Sequence, residues 1–416
     1  MDFKHFIEQS RNAGDCITIT DEVSCRDIPM RIAEEESGEN RVLVFENISD
    51  YDGAVASNLF GNPERIYRSV GAHDNPSYYQ KIDQATQSPP DLALQEMDDQ
   101  KYDVVANPVL LDQIPNIVHS EHDATPYITS GVVLARNPDT GNHHISYIRL
   151  SVLDGNKFYF NPRTPRMKEI AELTVGKGEN LEIAVLIGGP VEAMLLGALG
   201  FTEDDDELKI AQALSNGELI FADRDLPVPL GTEIVLFGTV EPEYGEEGPF
   251  GDMKGLYITN ENPICRVTKM WRCKDVNYHS ILGGKSQEHV GLVRMKMLHQ
   301  LEHFKQEKSY ILDYHLPKYA ASQMCLMTVE DGITLDKVDK ELFDIRLIEK
   351  FVLLNKDTDP TSAEDVLWAM THRANEEKDF SFVETENIFG LPGLMIIDAT
   401  TADPTEWTSI RVKVFE

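Results

Sequence analysis

Two hydrophobic periods alternate along this chain, one near 3.6 residues and one of 2. Residues 2–13 predict a short helix. Residues 15–35 mix a β-branched run, Ile17 to Thr20, with a helix-like stretch from Ile28 to Ala33. Residues 41–46 (RVLVFE) alternate as a strand does. Asn62-Pro63-Glu64-Arg65 opens another helix, since Asn62 can cap and Pro63 suits the first helical position. The polar stretch 74–103 reads as helix edges and loop.

From Tyr127 the texture turns to strand: 127–135, 144–153 and 157–160, with turns at Asn137-Pro138-Asp139-Thr140-Gly141 and Asp154-Gly155-Asn156. That is an antiparallel meander. Residues 181–187 form an apolar strand ending in Gly188-Gly189-Pro190, with a helix after it and a second helix over 206–215. Strands 232–240 and 255–259 flank an acidic stretch. Helical spacing returns at 289–307 through Val293, Met297, Leu301 and Phe304, followed by a strand at 349–354 and a helix at 363–372 capped near Thr361 or Ser362.

Length and charge narrow the classes. With 416 residues the chain exceeds one simple core. Its net charge of −33 argues against nucleic acid and anionic membrane as partners, because a polyanion is repelled. No run of about 18 apolar residues is present, and the opening residues lack a signal peptide's apolar core. Five scattered cysteines without a C-x-x-C spacing read as reduced thiols of a cytoplasmic protein.

The candidate chemistry centres on Glu247-Gly248-Pro249-Phe250-Gly251-Asp252. Two carboxylates stand five positions apart on a backbone that Gly and Pro keep out of helix. Paired carboxylates in different surroundings can supply an acid and a base at one pH. Composition alone reads the same stretch as a solvated acidic turn, since Glu243 and Glu246 crowd it. Gly283-Gly284-Lys285-Ser286 lacks the first glycine of a phosphate loop, that place being His279. His299-Gln300-Leu301-Glu302-His303 fits a zinc-hydrolase spacing but sits on the polar side of a predicted helix. His119-Ser120-Glu121-His122 reads equally as a polar loop or a weak chelator.

Several segments, in order, resemble the UbiD family of decarboxylases, which use prenylated FMN. They are Asn58-Leu59-Phe60-Gly61 with Glu64-Arg65-Ile66; Tyr127 to Val133 with Asn137 to Gly141; Ile145 to Arg149; Glu247 to Asp252; Asn277 to Leu282 with Glu288-His289; Asp357 to Pro360 with Val366 to Ala369, Thr371 and Arg373; and Ile397 to Thr400. The similarity is to the smaller bacterial and archaeal members. It implies an α+β fold: an N-terminal α/β region (1–115), a split β-barrel flavin domain (116–285), a connector helix (286–310) and a smaller C-terminal α/β domain used in oligomer contacts (311–416).

The resemblance implies a carboxy-lyase acting reversibly on an α,β-unsaturated or (hetero)aromatic acid through a covalent prenylated-FMN adduct. Arg149, Glu247 and Asp252 would be its catalytic network, with Asp252 the proton donor. Backbone or side-chain groups of His144, Ile145, Ser146, Tyr147, Ile148, Arg149, Thr164, Gly197, Ala198, Leu199 and Glu207 would bind the cofactor. A divalent metal, manganese in the family, with potassium beside it, would hold the flavin phosphate. Its ligands here would be His144 and Glu207, with Thr164 where the family has a histidine. His279 and Lys285 are the candidate substrate contacts. If His144 and Arg149 both reach the flavin, residues 145–147 depart from strand geometry or the flavin crosses the strand's end. The backbone groups of Ile145, Ser146 and Tyr147 would then be free to bind it. The implied partners are a flavin prenyltransferase as cofactor supplier and further copies of the chain, as dimer or hexamer. The alternative is a UbiD-like subunit, cofactor-poor or non-catalytic, of a larger (de)carboxylase complex.

Overall fold

The computed structural model describes residues 1–98, 100–345, 347–383 and 393–401. Residues 402–416 of the expected C-terminal region lie outside them. The chain divides into two compact units, Met1–Leu292 and Val293–Glu416, and the division falls inside the helix Gln287–Glu307.

In the first unit a small mixed sheet orders its strands as Cys16–Ile19, Val42–Phe45, Ala54–Ser57 and Asn277–Ser280. Its last strand arrives from far along the chain and pairs in parallel with Ala54–Ser57. The strand expected at 41–46 is Val42–Phe45, but it is buried at all four positions rather than alternating, because both of its faces are covered. The polar stretch after Asp74 holds a helix that its composition hides, Asn75–Gln87. A reciprocal cap between Asp74 and Ser77 starts it, and Tyr78, Tyr79, Ile82 and Ala85 bury one face.

The large sheet has nine strands among the described residues. Its order is Tyr127–Ile128, Leu150–Val152, Lys157–Phe160, Tyr257–Cys273, Ile234–Gly251, Leu181–Ile187, Val132–Arg136 and His143–Tyr147, with Tyr102–Ala106 pairing on the Tyr257–Cys273 strand. In the interior strand Leu181–Ile187, residues Leu181, Ile183, Val185 and Ile187 enter one core cluster together, as a period of 2 demands. That same cluster takes in Phe45 and Val55 of the small sheet and Phe158 and Phe160 of the large one.

Strand 144–153 of the sequence reading is two strands, His143–Tyr147 and Leu150–Val152, broken at Ile148 and Arg149. The break decides the architecture. The two strands stand six places apart in the sheet order, about 29 Å if the sheet were flat. From Tyr147 to Leu150 the chain can reach only about 11 Å. The sheet must therefore curl until its ends approach, and Arg149 lies at that seam.

The second unit is a five-stranded sheet ordered Ile311–His315, Met324–Val329, Lys350–Asn355, Leu394–Ala399 and Phe380–Val383. The helix Ala363–His372, capped by the Ser362 hydroxyl, packs Val366 and Ala369 on one face of it. Met297 and Leu301 belong to the core on its other face.

Candidate active site

Glu247 lies within a strand rather than on a free acidic loop. The strand Ile234–Gly251 runs through the whole stretch against Tyr257–Cys273, with a shift of register between Glu247 and Phe250. Gly248 makes that shift, with φ of +107°; a Cβ there would meet the Ile258 carbonyl at 2.6 Å. Glu247 is thereby turned inward, with 1% of its surface exposed.

Arg149, 98 residues earlier, clamps it: Nε donates to Oε1 at 3.1 Å and Nη2 to Oε2 at 2.9 Å. Asn262 Nδ2 and Asn161 Nδ2 also donate to Oε2, at 3.0 and 3.4 Å. Four donor contacts converge on one carboxylate and fix its position. The Arg149 guanidinium also lies over the Phe250 ring, 4.9 Å from its centre, and Tyr127 packs on that ring at 4.5 Å. Asp252 follows in the turn after the strand. It is buried, and its Oδ2 has no partner in the protein. Groups from other elements surround the two acids. Arg163 donates from Nε to Asn161 Oδ1 at 3.1 Å. Burial and then the charge of Arg149 lower its pKa, while Glu247 and Asp252 act the other way. Burial pushes His289 below the ordinary imidazole range, opposed by Asp252. Its Nδ1–H donates to the Gly284 carbonyl at 2.9 Å. Burial also drives His119 down to about 4, so it is neutral at physiological pH. Asp123 accepts from the Gly251 and Ser120 N–H groups at 2.8 and 2.9 Å and so holds the loop's end.

A second cluster forms around Glu207. His144 Nδ1–H donates to Oε1 at 2.8 Å, the Ile145 N–H donates to Oε2 at 2.7 Å, and Arg166 Nη1 donates to Oε1 at 2.8 Å. Glu207 is 1% exposed. Beside it His143 Nδ1 pairs with Asp206 at 2.9 Å. The Nε2 atoms of both histidines and Nε of Arg166 are buried without partners. Two chain runs serve both clusters. Residues 143–149 supply His144 to one and Arg149 to the other; residues 161–166 supply Asn161 and Arg163 to one and Arg166 to the other.

Arg166 sets a fixed positive charge against the carboxylate that the resemblance assigns to a divalent metal. Two unit charges 4 Å apart interact by about 4 kcal/mol at an effective dielectric constant of about 20, so the repulsion of a dication by Arg166, about twice that, offsets an attraction of similar size from Glu207. Thr164, assigned by sequence to the family's histidine place, accepts instead from the Ser146 hydroxyl at 3.0 Å. Arg166, two residues on, is the side chain that reaches Glu207.

The backbone of 145–147 is not free, as the departure from strand geometry would have left it. His143–Tyr147 pairs regularly with Val132–Arg136. It is the edge strand, and its outward N–H groups are already covered, Ile145 by Glu207 and Tyr147 by the Gly197 carbonyl at 3.2 Å. The irregularity falls at Ile148 and Arg149, where the chain crosses the seam. Gly197 closes the helix Val191–Leu196, and Ala198 and Leu199 continue its last turn. A Cβ on Gly197 would meet Val132 at 3.0 Å, so glycine lets the helix end seal the strand edge.

His279, a candidate substrate contact by sequence, sits in the core at the small sheet's end, and its Nδ1 has no partner in the protein. It is fully buried between the rings of Phe3 and Phe60, and its Nε2 lies 3.0 Å from Glu288. Glu288 in turn accepts from the Asn58 and Phe60 N–H groups. Lys285 is exposed and lies over Gly255, in the turn that follows Asp252. Sequence reasoning missed Asn161, Asn262, Arg163, Arg166 and Phe250 as site residues. The only available signal was the pairing of Arg163 and Arg166 across Thr164-Pro165. The zinc-hydrolase spacing places the His299 and His303 rings 4.5 Å apart on one helix face, while Glu302 is taken by the Tyr314 hydroxyl at 2.7 Å.

A family model described as the 3-octaprenyl-4-hydroxybenzoate carboxy-lyase Rift-related domain matches residues 95–286. The N-terminal domain model of the same carboxy-lyase matches residues 7–86. Among curated proteins, anhydromevalonate phosphate decarboxylase of Methanothermobacter thermautotrophicus is 27% identical over 273 residues, 64% of this chain and 63% of that protein's length. Among solved structures, an evolved dimeric form of the enzyme HmfF from Pelotomaculum thermopropionicum, in complex with prFMN, superposes with a TM-score of 0.86 at 24% identity, covering 99% of this chain and 97% of that one. The closed form of Sedimentibacter hydroxybenzoicus vanillic acid decarboxylase gives 0.82 at 19% identity, covering 100% and 95%.

Proposed function

The chain belongs to the UbiD family of carboxy-lyases, and on that premise we propose that it decarboxylates an α,β-unsaturated or (hetero)aromatic carboxylic acid, reversibly and without net oxidation. The observation that carries this reading is the Arg149–Glu247 clamp beside a buried carboxyl, Asp252, whose Oδ2 has no partner. We read the curled sheet as the family's split barrel.

Loss of CO2 from an sp² carbon leaves an electron pair with no place to go, and prenylated FMN, when bound, would supply the electron sink. Unpartnered buried polar atoms at both clusters fit a bound group, since such atoms are costly otherwise. His144 and Arg166 would hold its phosphate end, while Arg149, Glu247 and Asp252 would face its reacting end. The rest is the work of this chain's side chains. Arg149 spends Nε and Nη2 on Glu247 and has Nη1 to offer a substrate carboxylate. Glu247, acceptor of four contacts, fixes the fork's direction. Phe250 covers one guanidinium face and excludes water there. Asp252 carries the proton that replaces CO2 on carbon, and nothing in the protein competes for it at Oδ2.

The test is co-expression with a flavin prenyltransferase, the cofactor's supplier in this reading. Bound flavin should appear in the absorption spectrum, and CO2 should evolve from some member of a panel of unsaturated and aromatic acids. Arg149→Ala should abolish the CO2. Protein that folds but takes up no flavin would point to a non-catalytic subunit instead. Assembly as dimer or hexamer is part of the same proposal, checked by sedimentation.

A further inference from the structure

We propose that Arg166 replaces the divalent cation at the cofactor's phosphate, so that this chain binds its flavin without metal. The inference rests on the flavin reading above. It starts from a disagreement between the implied manganese site and the residues present. Glu207 already accepts from His144, from the Ile145 N–H and from Arg166, so both of its oxygens are engaged.

The same residues form an anion site. Arg166 is the second residue of the nine-residue helix Pro165–Leu173, whose N-terminus no side chain caps. The first N–H groups of a helix have no partner within it and carry partial positive charge. Phosphate binds such ends readily. The independent observation is Arg166 Nε: it sits in a side chain nine-tenths buried, it can only donate, and it has no acceptor. Nη1 on Glu207 and Nη2 on the Asp205 carbonyl, at 2.8 and 3.2 Å, hold the guanidinium plane and leave that edge for a ligand. His144 Nε2, also buried and unpartnered, belongs to the same cluster. A guanidinium needs no geometry of ligands around it and cannot be chelated away, unlike a bound ion.

The experiment titrates apo-protein with FMN and with riboflavin, following flavin fluorescence, in EDTA and then in excess Mn2+. Metal content is measured on protein isolated with its cofactor. Wild-type protein should bind FMN equally well, within about threefold, in both buffers. It should prefer FMN to riboflavin and carry no stoichiometric manganese. Arg166→Ala should lose about tenfold or more of the FMN preference while keeping riboflavin affinity, and Arg166→Lys should restore part of it. An FMN affinity that needs Mn2+ in wild-type protein would overturn the proposal and leave the flavin reading standing. An unchanged FMN preference in Arg166→Ala would do the same. Binding of neither flavin under any condition would overturn both.

Discussion

Replacing Glu247 by Gln exchanges one oxygen for an NH2 group and should reveal how much the clamp contributes. All four polar contacts to Glu247 come from donors: Arg149 Nε and Nη2, Asn161 and Asn262. Glutamine offers one oxygen and an NH2 group, so in either orientation a donor faces a donor. The Arg149 side chain is only 14% exposed and keeps its charge. Removing one partner of a buried pair costs about 3–5 kcal/mol. The Phe250 ring retains about 0.5–1 kcal/mol of stabilisation for the cation, which puts the expected loss near 3 kcal/mol. Unfolding entropy of about 2.1 cal/mol/K per residue gives about 0.6 kcal/mol/K for Met1–Leu292, hence a Tm lower by about 5 °C. Turnover should fall about 100-fold or more, because the guanidinium loses its fixed direction. Calorimetry and CO2 evolution read the two effects. The double variant Arg149→Met/Glu247→Gln should cost less than the sum of its parts by about 2 kcal/mol, since no stranded charge remains. A Glu247→Gln protein with its Tm within about 1 °C of wild type and normal turnover would refute the argument.

Other expectations separate chemistry from stability. Asp252→Asn should lower turnover by about 10²–10⁴ and leave Tm nearly unchanged, since Oδ2 bonds nothing in the protein; an active variant would remove Asp252 as proton donor. Burial raises Glu233 from 4.5 to about 7. The folded state therefore holds its proton more tightly than the unfolded chain does. Stability from this group is fully present below pH 4.5 and is lost as pH rises through 7. Glu233→Gln, which keeps an acceptor for the Asn277 N–H, should match wild type at pH 4.5 and exceed it by about 3 kcal/mol above pH 7. A pH-independent difference in denaturant titrations would contradict that. Arg65, fully buried, donates to Asp15 and to the carbonyls of Leu59, Asn40 and Asn58. Arg65→Met should destabilise the protein by about 3–5 kcal/mol without touching the site, and a thermal scan at wild-type Tm would show the network to be dispensable.

Much of the fold is written locally. The strands at 157–160 and 181–187 and the helix at 363–372 stand where hydrophobic spacing puts them, because backbone geometry repeats over a few residues. The helix Asn75–Gln87 was overlooked for its polar composition, though its buried tyrosines keep helical spacing. Ordered motifs pointed to the family, and through it to Arg149, Glu247 and Asp252. What no local pattern holds is which distant groups meet. The break at Ile148–Arg149 follows from a sheet that must curl to join its two ends, so it depends on strand order. Whether Thr164 or Arg166 faces Glu207 depends on where the helix Pro165–Leu173 starts and how it sits on the sheet. His279 points into the core because its strand completes the small sheet, while His289, on the next helix, comes within reach of Asp252. Short-range sterics and burial select the elements one by one. Only the closing of the sheet brings an arginine to a carboxylate 98 residues away.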